Sequence, residues 1–450
     1  MATPQKVATA SPFLLPRLED ARSRTDAIFD LLSPNSFYDR PIAERHRMIF
    51  YLGHVEAFDW NLLSPALGLR PFHEGFDRLF AFGIDPLGGN LPVDVPLDWP
   101  HITQVEEYNR SVRGRLDEAL DHADLNGRTP DGHRIETLLY VAIEHRLMHA
   151  ETLAYLLHNL AAEKLLHTPA LSPGAGSSPL RRRITIPRGF ATLGRIRARA
   201  SDFGWDNEFG EQRLYVPQFS IDEYPVTNGE FLKFVRAGGY EEREYWKPQD
   251  WAWKEETQVK HPHLWRLRGE SSASSGESRW LQRTMFGLVP LPEAWPVYVS
   301  HAEALAYAAW AGAKLPTEAQ WHRAAYGTAG ESEREYPWGF SPPDSSKGNF
   351  HFESWDPCAV DAHPEGASAF GVKDLLGNGW EWTSTVFGPF PGFERFSFYP
   401  GYSADFFDGK HFVMKGGSAR TDASMLRRTF RNWFQAHYSF VYATFRCVEN

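Results

Sequence analysis

The sequence predicts an α+β chain in two parts, a four-helix bundle followed by a larger, loop-rich domain of short strands and few helices. Three observations carry this. Apolar residues recur at helical spacing in four long N-terminal segments. Beyond residue 184, short strand-like pieces alternate with loops heavy in Gly, Pro, Asp and Trp. Between the two textures lies HTPALSPGAGSSPLRRR (167–183), with the Pro, Gly and Ser composition of a linker. The expected division is a bundle over 1–166, a linker over 167–183 and a second domain over 184–450.

The candidate helices cover roughly 15–33, 41–63, 102–124 and 132–160, a number that suits an up-and-down bundle. The connection LRPFHEGFDRLFAFGIDPLGGNLPVDVPLDWP between the second and third is too long for a turn, and such connections often line sites. In the second part, RITIPRGFATLG, YVPQFSIDEYPVTN and HFVMKGGS read as strands. TNGEFLKFVRAGG (227–239) and SHAEALAYAAWAGA (300–313) read as short helices with a cap at the start and Gly at the end. RGESSASSGESRW (268–280) reads as a flexible surface loop.

Bulk properties narrow the function. A chain of 450 residues, 42% hydrophobic and 23% charged, is long enough for two or three domains with cores of their own. Its net charge of −10 argues against nucleic acid or an anionic membrane as the main partner. The N-terminal stretch holds no apolar run of signal-peptide or membrane-span length. Two cysteines, Cys358 and Cys447, cannot build a disulfide framework, so a reducing, cytoplasmic setting is expected.

The chemistry starts at IEHRLMHAETLAYLL (143–157). His145 and His149 are ~400° of helix apart, so they share a face with Leu138, Val141, Met148, Thr152 and Leu156. Two imidazoles on one turn suit a metal ion but rarely hold it alone. The second helix offers a third: Phe50, His54 and Phe58 follow at four-residue steps, which places His54 on an aromatic stripe. His46 is a rival one turn from Phe50. A buried histidine bonded to a carbonyl is the bland alternative for each, but three on the facing sides of two helices favour a metal site with open positions. Zinc and iron(II) both accept such a set.

LGHVEAFDWNLL followed by EHRLMHAET resembles the metal-binding, DinB-like bundle of the non-haem iron sulfoxide synthases of ergothioneine and ovothiol biosynthesis. FGWDNE, YPVTNGEFLKFVRAGGY, KLPTEAQWHRAA, LLGNGWEWTST, KGGSAR and the run from FRNWF to FRC resemble the formylglycine-generating-enzyme, or sulfatase-modifying-factor, domain, a C-type-lectin-like fold that those synthases carry. LPTEAQW and GNGWEW are read as fold signatures. KGGSARTDASMLRRTFRNWF contains no cysteine, which excludes formylglycine generation, and Cys447 reads as a buried thiol.

The resemblance implies His54, His145 and His149 as ligands of Fe(II), O2 as oxidant, and hercynine (N-trimethylhistidine) as a substrate held by Asn432 and Trp433. Aromatic faces of the C-terminal segment would suit its quaternary ammonium. The departures bear on the second substrate. Phe434 and Tyr438 stand where γ-glutamylcysteine-using members carry an acid and an arginine, and Met148 stands where the family has a glutamine. RLFAFGIDPLGGNLP lacks the tyrosine pair of another branch, and FGPFPGF (387–393) holds only Phe where related enzymes carry a tyrosine proton donor. These losses point to a donor less charged than a cysteine-type zwitterion, and the chain in this respect resembles the selenoneine synthase branch, which implies a selenosugar or a related thiol donor. Tyr438 is the candidate catalytic residue and, with Asn432, Trp433, Phe434 and Met148, a candidate substrate-binding one. The rival readings are an ergothioneine-type sulfoxide synthase, a zinc-dependent thiol transferase and a non-catalytic binding module.

Overall fold

The computed structural model describes residues 13–81, 91–166, 176–197, 203–268, 280–330 and 332–449. The chain divides into two compact units, residues 1–168 with 199–203, and 169–198 with 204–450.

The first unit is helical. It contains α1 (Leu14–Phe29), α2 (Met48–Leu63), the short α3 (Glu74–Leu79), α4 (Ile102–Asp121) and α5 (Ile135–His158). α4 shows the expected one-sided pattern, burying Val105, Tyr108, Val112, Leu116 and Leu120 at three- and four-residue steps. α5 departs from the amphipathic reading. Its buried residues include Ile143, Leu147, Ala150, Leu153, Ala154 and Leu157, which lie all round the helix, so α5 is the bundle's central element. Arg40 and Arg47 pair with Asp94, which also accepts from Trp99 Nε1 at 2.8 Å, and these bonds tie down the end of the long connection. Residues 82–90 of that connection lie outside the described residues.

The second unit mixes small sheets and short helices. Its strands are β1 (Arg183–Ile186), β2 (Gly189–Leu193), β3 (Gln212–Val216), β4 (Phe219–Asp222), β5 (Trp265–Leu267), β6 (Trp280–Thr284), β7 (Gly287–Pro290), β8 (Gly379–Val386), β9 (His411–Gly417), β10 (Asn432–Gln435), β11 (Ala443–Thr444) and β12 (Val448–Glu449). They form sheets ordered β1-β4-β12, β10-β9-β8-β11, β2-β3 and β5-β6-β7. The helices are α6 (Asn228–Arg236), α7 (Pro248–Thr257), α8 (His301–Trp310) and α9 (Glu318–Tyr326). Thr227, Ser300 and Thr317 each cap a helix in a reciprocal box with Glu230, Glu303 and Gln320. α6 and α8 are followed by Gly238 and Gly312, whose φ values of +80° and +65° explain the glycines read as stops.

Trp321 of α9 packs with Ile221, Leu375 and Val448 in the core. Trp380 and Trp382 are buried on β8, and Glu381 between them forms a fully buried pair with Arg446, 2.6 Å from Oε2 to Nε. Cys447 is a buried free thiol. Of the expected linker, 167–175 lie outside the described residues, while Ser178 donates to the Glu293 carbonyl at 2.7 Å and Arg181 pairs with Asp222 at 2.9 Å. Most of the 268–280 loop, residues 269–279, also lies outside the description. No described helix is long and apolar enough to cross a membrane.

Candidate functional site

In the first unit, α2 and α5 bring His54, His145 and His149 together, with one ligand atom from each lying within 4.8 Å of the others. His54 Nε2 is 3.2 Å from His149 Nε2. Tetrahedral ligands at Zn–N or Fe–N bond lengths are about 3.3–3.5 Å apart, so this spacing already suits one ion. His54 Nδ1 donates to the Phe80 carbonyl at 2.6 Å, which leaves the Nε2 lone pair for a metal. Burial holds the His54 imidazole down to about 4, against the pull of that carbonyl, and burial with neighbouring imidazoles holds His145 and His149 well below the ordinary range. All three are therefore neutral near pH 7, as metal ligands must be. Among the described residues the buried Nδ1 of His149 has no hydrogen-bond partner. These features fit a metal.

The surroundings fix the ring planes. Phe50 stacks on His54 at 4.9 Å, and Phe58 stacks on His145 at 3.4 Å and 12°. Gly53 explains how Phe80 reaches His54: a Cβ there would lie 2.6 Å from the Phe80 ring. His46 stacks on Phe50 at 4.1 Å, precedes α2 and is not among the three clustered ligands. Met148 lies on α5 beside His149 and is half-buried.

Sequence reasoning missed what lies behind the histidines. Arg146, fully buried, donates to Glu56 at 2.9 Å, to Asp59 at 2.6 Å and to the Val55 carbonyl at 2.9 Å. Arg113 of α4 donates to the same Glu56 oxygen at 2.6 Å and forks onto Asp26 of α1 with two 2.7 Å bonds. Burial would raise the Glu56 carboxyl, but the two guanidinium groups hold it below the usual carboxylate range. One network thus joins four helices and fixes α2 against α5. The signal was present: Glu56, Asp59 and Arg146 sit within apolar helical runs, next to the histidines.

In the second unit, β10 pairs antiparallel with β9, with Asn432 opposite Met414, Trp433 opposite Val413 and Phe434 opposite Phe412. Neighbouring strand residues face opposite ways, so Asn432 and Phe434 share one side and Trp433 takes the other. Trp433 stacks on Phe387 at 4.1 Å and 7° and meets Tyr402 and Phe406 at 5.4 and 5.7 Å. Phe434 stacks on Tyr438 at 5.1 Å and 11°. Asn432 Oδ1 accepts the Trp433 backbone N–H at 2.8 Å. The structure therefore groups Phe434 with Tyr438 and separates Trp433 from them. In FGPFPGF, Phe387 and Phe390 lie under the Arg431 guanidinium, at 4.9 and 4.1 Å.

Two family models match, the sulfatase-modifying factor enzyme 1-like domain over residues 169–450 and the DinB superfamily over 17–153. The hercynine oxygenase of Mycolicibacterium thermoresistibile is 34% identical over 434 residues, 93% of this chain and 90% of that protein. The chain belongs to the hercynine oxygenase family. The hercynine oxygenase of Mycolicibacterium smegmatis is 35% identical over 356 residues, 76% of each chain. Ergothioneine biosynthesis protein 1 of Neurospora crassa is 28% identical over 501 residues, 93% of this chain and 56% of that protein. For a hercynine oxygenase family member, the domain pair explains the α+β composition: the DinB match covers the helices that hold the histidines, and the other match covers β10.

Proposed function

We propose that this protein is a non-haem iron(II), O2-dependent enzyme that joins a chalcogen donor to hercynine, and that the donor is a selenosugar. The observation that carries the reading is the trio of neutral, buried imidazoles with one ligand atom each inside 4.8 Å, in a chain whose relatives are named hercynine oxygenases. Iron(II) bound there would supply electrons to O2 and open positions for substrates. The chain's own residues do the rest. His54, oriented by the Phe80 carbonyl, presents Nε2, while Phe50 and Phe58 keep the rings in plane and dry. Asn432 is assigned to hercynine, while Trp433, on the other side of β10, is assigned to the packing with Phe387 and Tyr402 that holds the strand.

The donor assignment rests on Phe434 and Tyr438. Their stacked rings offer an apolar face and one hydroxyl, and neither can replace an ion pair to an amino-acid zwitterion. A sugar has the matching chemistry, hydroxyls around an apolar face. The competing readings are an ergothioneine-type sulfoxide synthase using cysteine or γ-glutamylcysteine, and a zinc-dependent thiol transferase. One assay separates them: anaerobic iron loading, then hercynine, O2 and a panel of selenium and sulfur donors, read by mass spectrometry. Preference for cysteine or γ-glutamylcysteine would replace the selenium reading with the sulfur one. Turnover with zinc and no O2 uptake would overturn the oxidative reading altogether.

A further inference from the structure

The turn after β10 carries an imidazole that the proposed function leaves unused. His437 Nε2 lies 2.8 Å from Asp250 Oδ1, and its ring stacks on Trp253 at 4.6 Å and 5°. Asp250 is 4% exposed and sits in the first turn of α7, where the helix N-terminus favours its charge. The ring is thus clamped at one nitrogen and on one face. With a carboxylate accepting from Nε2–H, Nδ1 carries the lone pair. Nδ1 makes no hydrogen bond among the described residues, and the His437 side chain is 33% exposed, so a ligand can reach it.

The placement connects it to the donor residues. Phe434 and Phe412 are cross-strand partners and project to the same side of the sheet. On that side Phe412 stacks on His301 at 3.8 Å, and Phe434 on Tyr438. His301, pressed down to about 3 mainly by burial, also feels the charges of Lys247, Asp250 and His437. Ala302, next to His301, also donates its backbone N–H to the Ala436 carbonyl at 3.0 Å, so the turn that carries the clamped imidazole is held beside the His301–Phe412 stack. Tyr438 continues edge-on to Phe440 at 5.2 Å and Phe440 to His263 at 4.8 Å, giving an aromatic strip that starts at the residue after His437.

We propose that His437, held by Asp250, reads the donor: its Nδ1 accepts a hydrogen bond from a hydroxyl of a sugar lying against the Phe434–Tyr438 rings. The inference rests on the sugar-donor reading above. It assigns His437 to recognition, with Asp250 and Trp253 as positioning residues. The plain alternative is a staple, in which the Asp250 contact only holds the turn.

Two substitutions separate the roles. In His437→Gln the amide reaches the Nε2 position and keeps Asp250 but places nothing at Nδ1. In His437→Asn the amide reaches the Nδ1 position and loses Asp250. Steady-state kinetics of the iron-loaded full chain, with hercynine, O2 and 1-thio-β-D-glucose, are expected to show KM for the thiosugar raised about tenfold in His437→Gln, the value of one hydrogen bond. His437→Asn, which keeps the acceptor but loses the Asp250 clamp, is expected to show a smaller rise than His437→Gln, with KM for hercynine unchanged in both. Anaerobic calorimetry with the same thiosugar should give the same ranking. A normal thiosugar KM in His437→Gln together with a raised one in His437→Asn would make the pair a staple and overturn the proposal. Failure of the donor reading itself is visible separately, in the wild-type arm: a wild-type enzyme that turns over γ-glutamylcysteine and ignores the thiosugar removes both.

Discussion

The bundle site and the β10 segment treat neighbouring residues in opposite ways. On α5 a four-residue step returns to the same face, so His145 and His149 meet His54 in one cluster. On β10 adjacent residues diverge, so Asn432 and Trp433 cannot line the same surface of the strand, and Trp433 is packed among Phe387, Tyr402 and Phe406. The bundle site is also braced from behind by a charged network crossing four helices, whereas the half-buried β10 residues rest on ring contacts. The lesson is that a helical motif can be read as a site from spacing, but a strand motif must be divided by face before it is read.

The largest expected effect tests convergence itself. His54→Ala, His145→Ala and His149→Ala should each weaken metal binding by more than about a hundredfold and abolish turnover, with iron content measured directly. His46→Ala should keep its iron, and a loss equal to that of His54→Ala would show that the cluster is drawn around the wrong residue. Next comes the bracing. Arg146→Met leaves Glu56 and Asp59 without their shared buried cation and should cost roughly 3–5 kcal/mol in urea unfolding of the metal-free protein. A variant with unchanged unfolding would show that the network does not hold α2 against α5.

The sheet side is tested by changing its charge. Phe434→Asp with Tyr438→Arg together should move donor preference at least about tenfold toward γ-glutamylcysteine, since each restored charged hydrogen bond is worth about 1.5–3 kcal/mol. The division by face predicts a smaller split. Trp433→Ala should lower stability by about 1–3 kcal/mol through lost ring packing, while Asn432→Ala should leave unfolding nearly unchanged and raise KM for hercynine. Equal effects on unfolding would erase the distinction between the faces.

The smallest effect is a pH slope in the second unit. His301 is buried, donates to the Thr383 carbonyl at 3.1 Å and titrates at about 3 when folded, below its unfolded value. The unfolded chain therefore binds the extra proton first. The stability His301 contributes is complete above about pH 6.5 and is lost as pH falls toward 3. Urea midpoints of wild type should thus fall more between pH 7 and 4.5 than those of His301→Gln, and parallel slopes would remove His301 from the acid response.

How much was legible follows from which interactions are local. Helix positions, the caps at Thr227 and Ser300, and the shared face of His145 and His149 depend on spacing within one segment, and spacing is written in the chain. Composition likewise separated a helical part from a loop-rich one. Tertiary structure alone decided the rest, because those contacts join residues far apart in sequence. The Phe80 carbonyl that sets the His54 tautomer depends on Gly53 admitting a ring from another segment. The Arg146–Glu56–Arg113–Asp26 chain requires four helices at once, and a charge in an apolar run does not name its partner. Which face Trp433 takes was fixed by the pairing of β10 with β9, and a strand of four residues does not announce its register. The His437–Asp250 pair spans 187 positions, so no local pattern could have brought it into view.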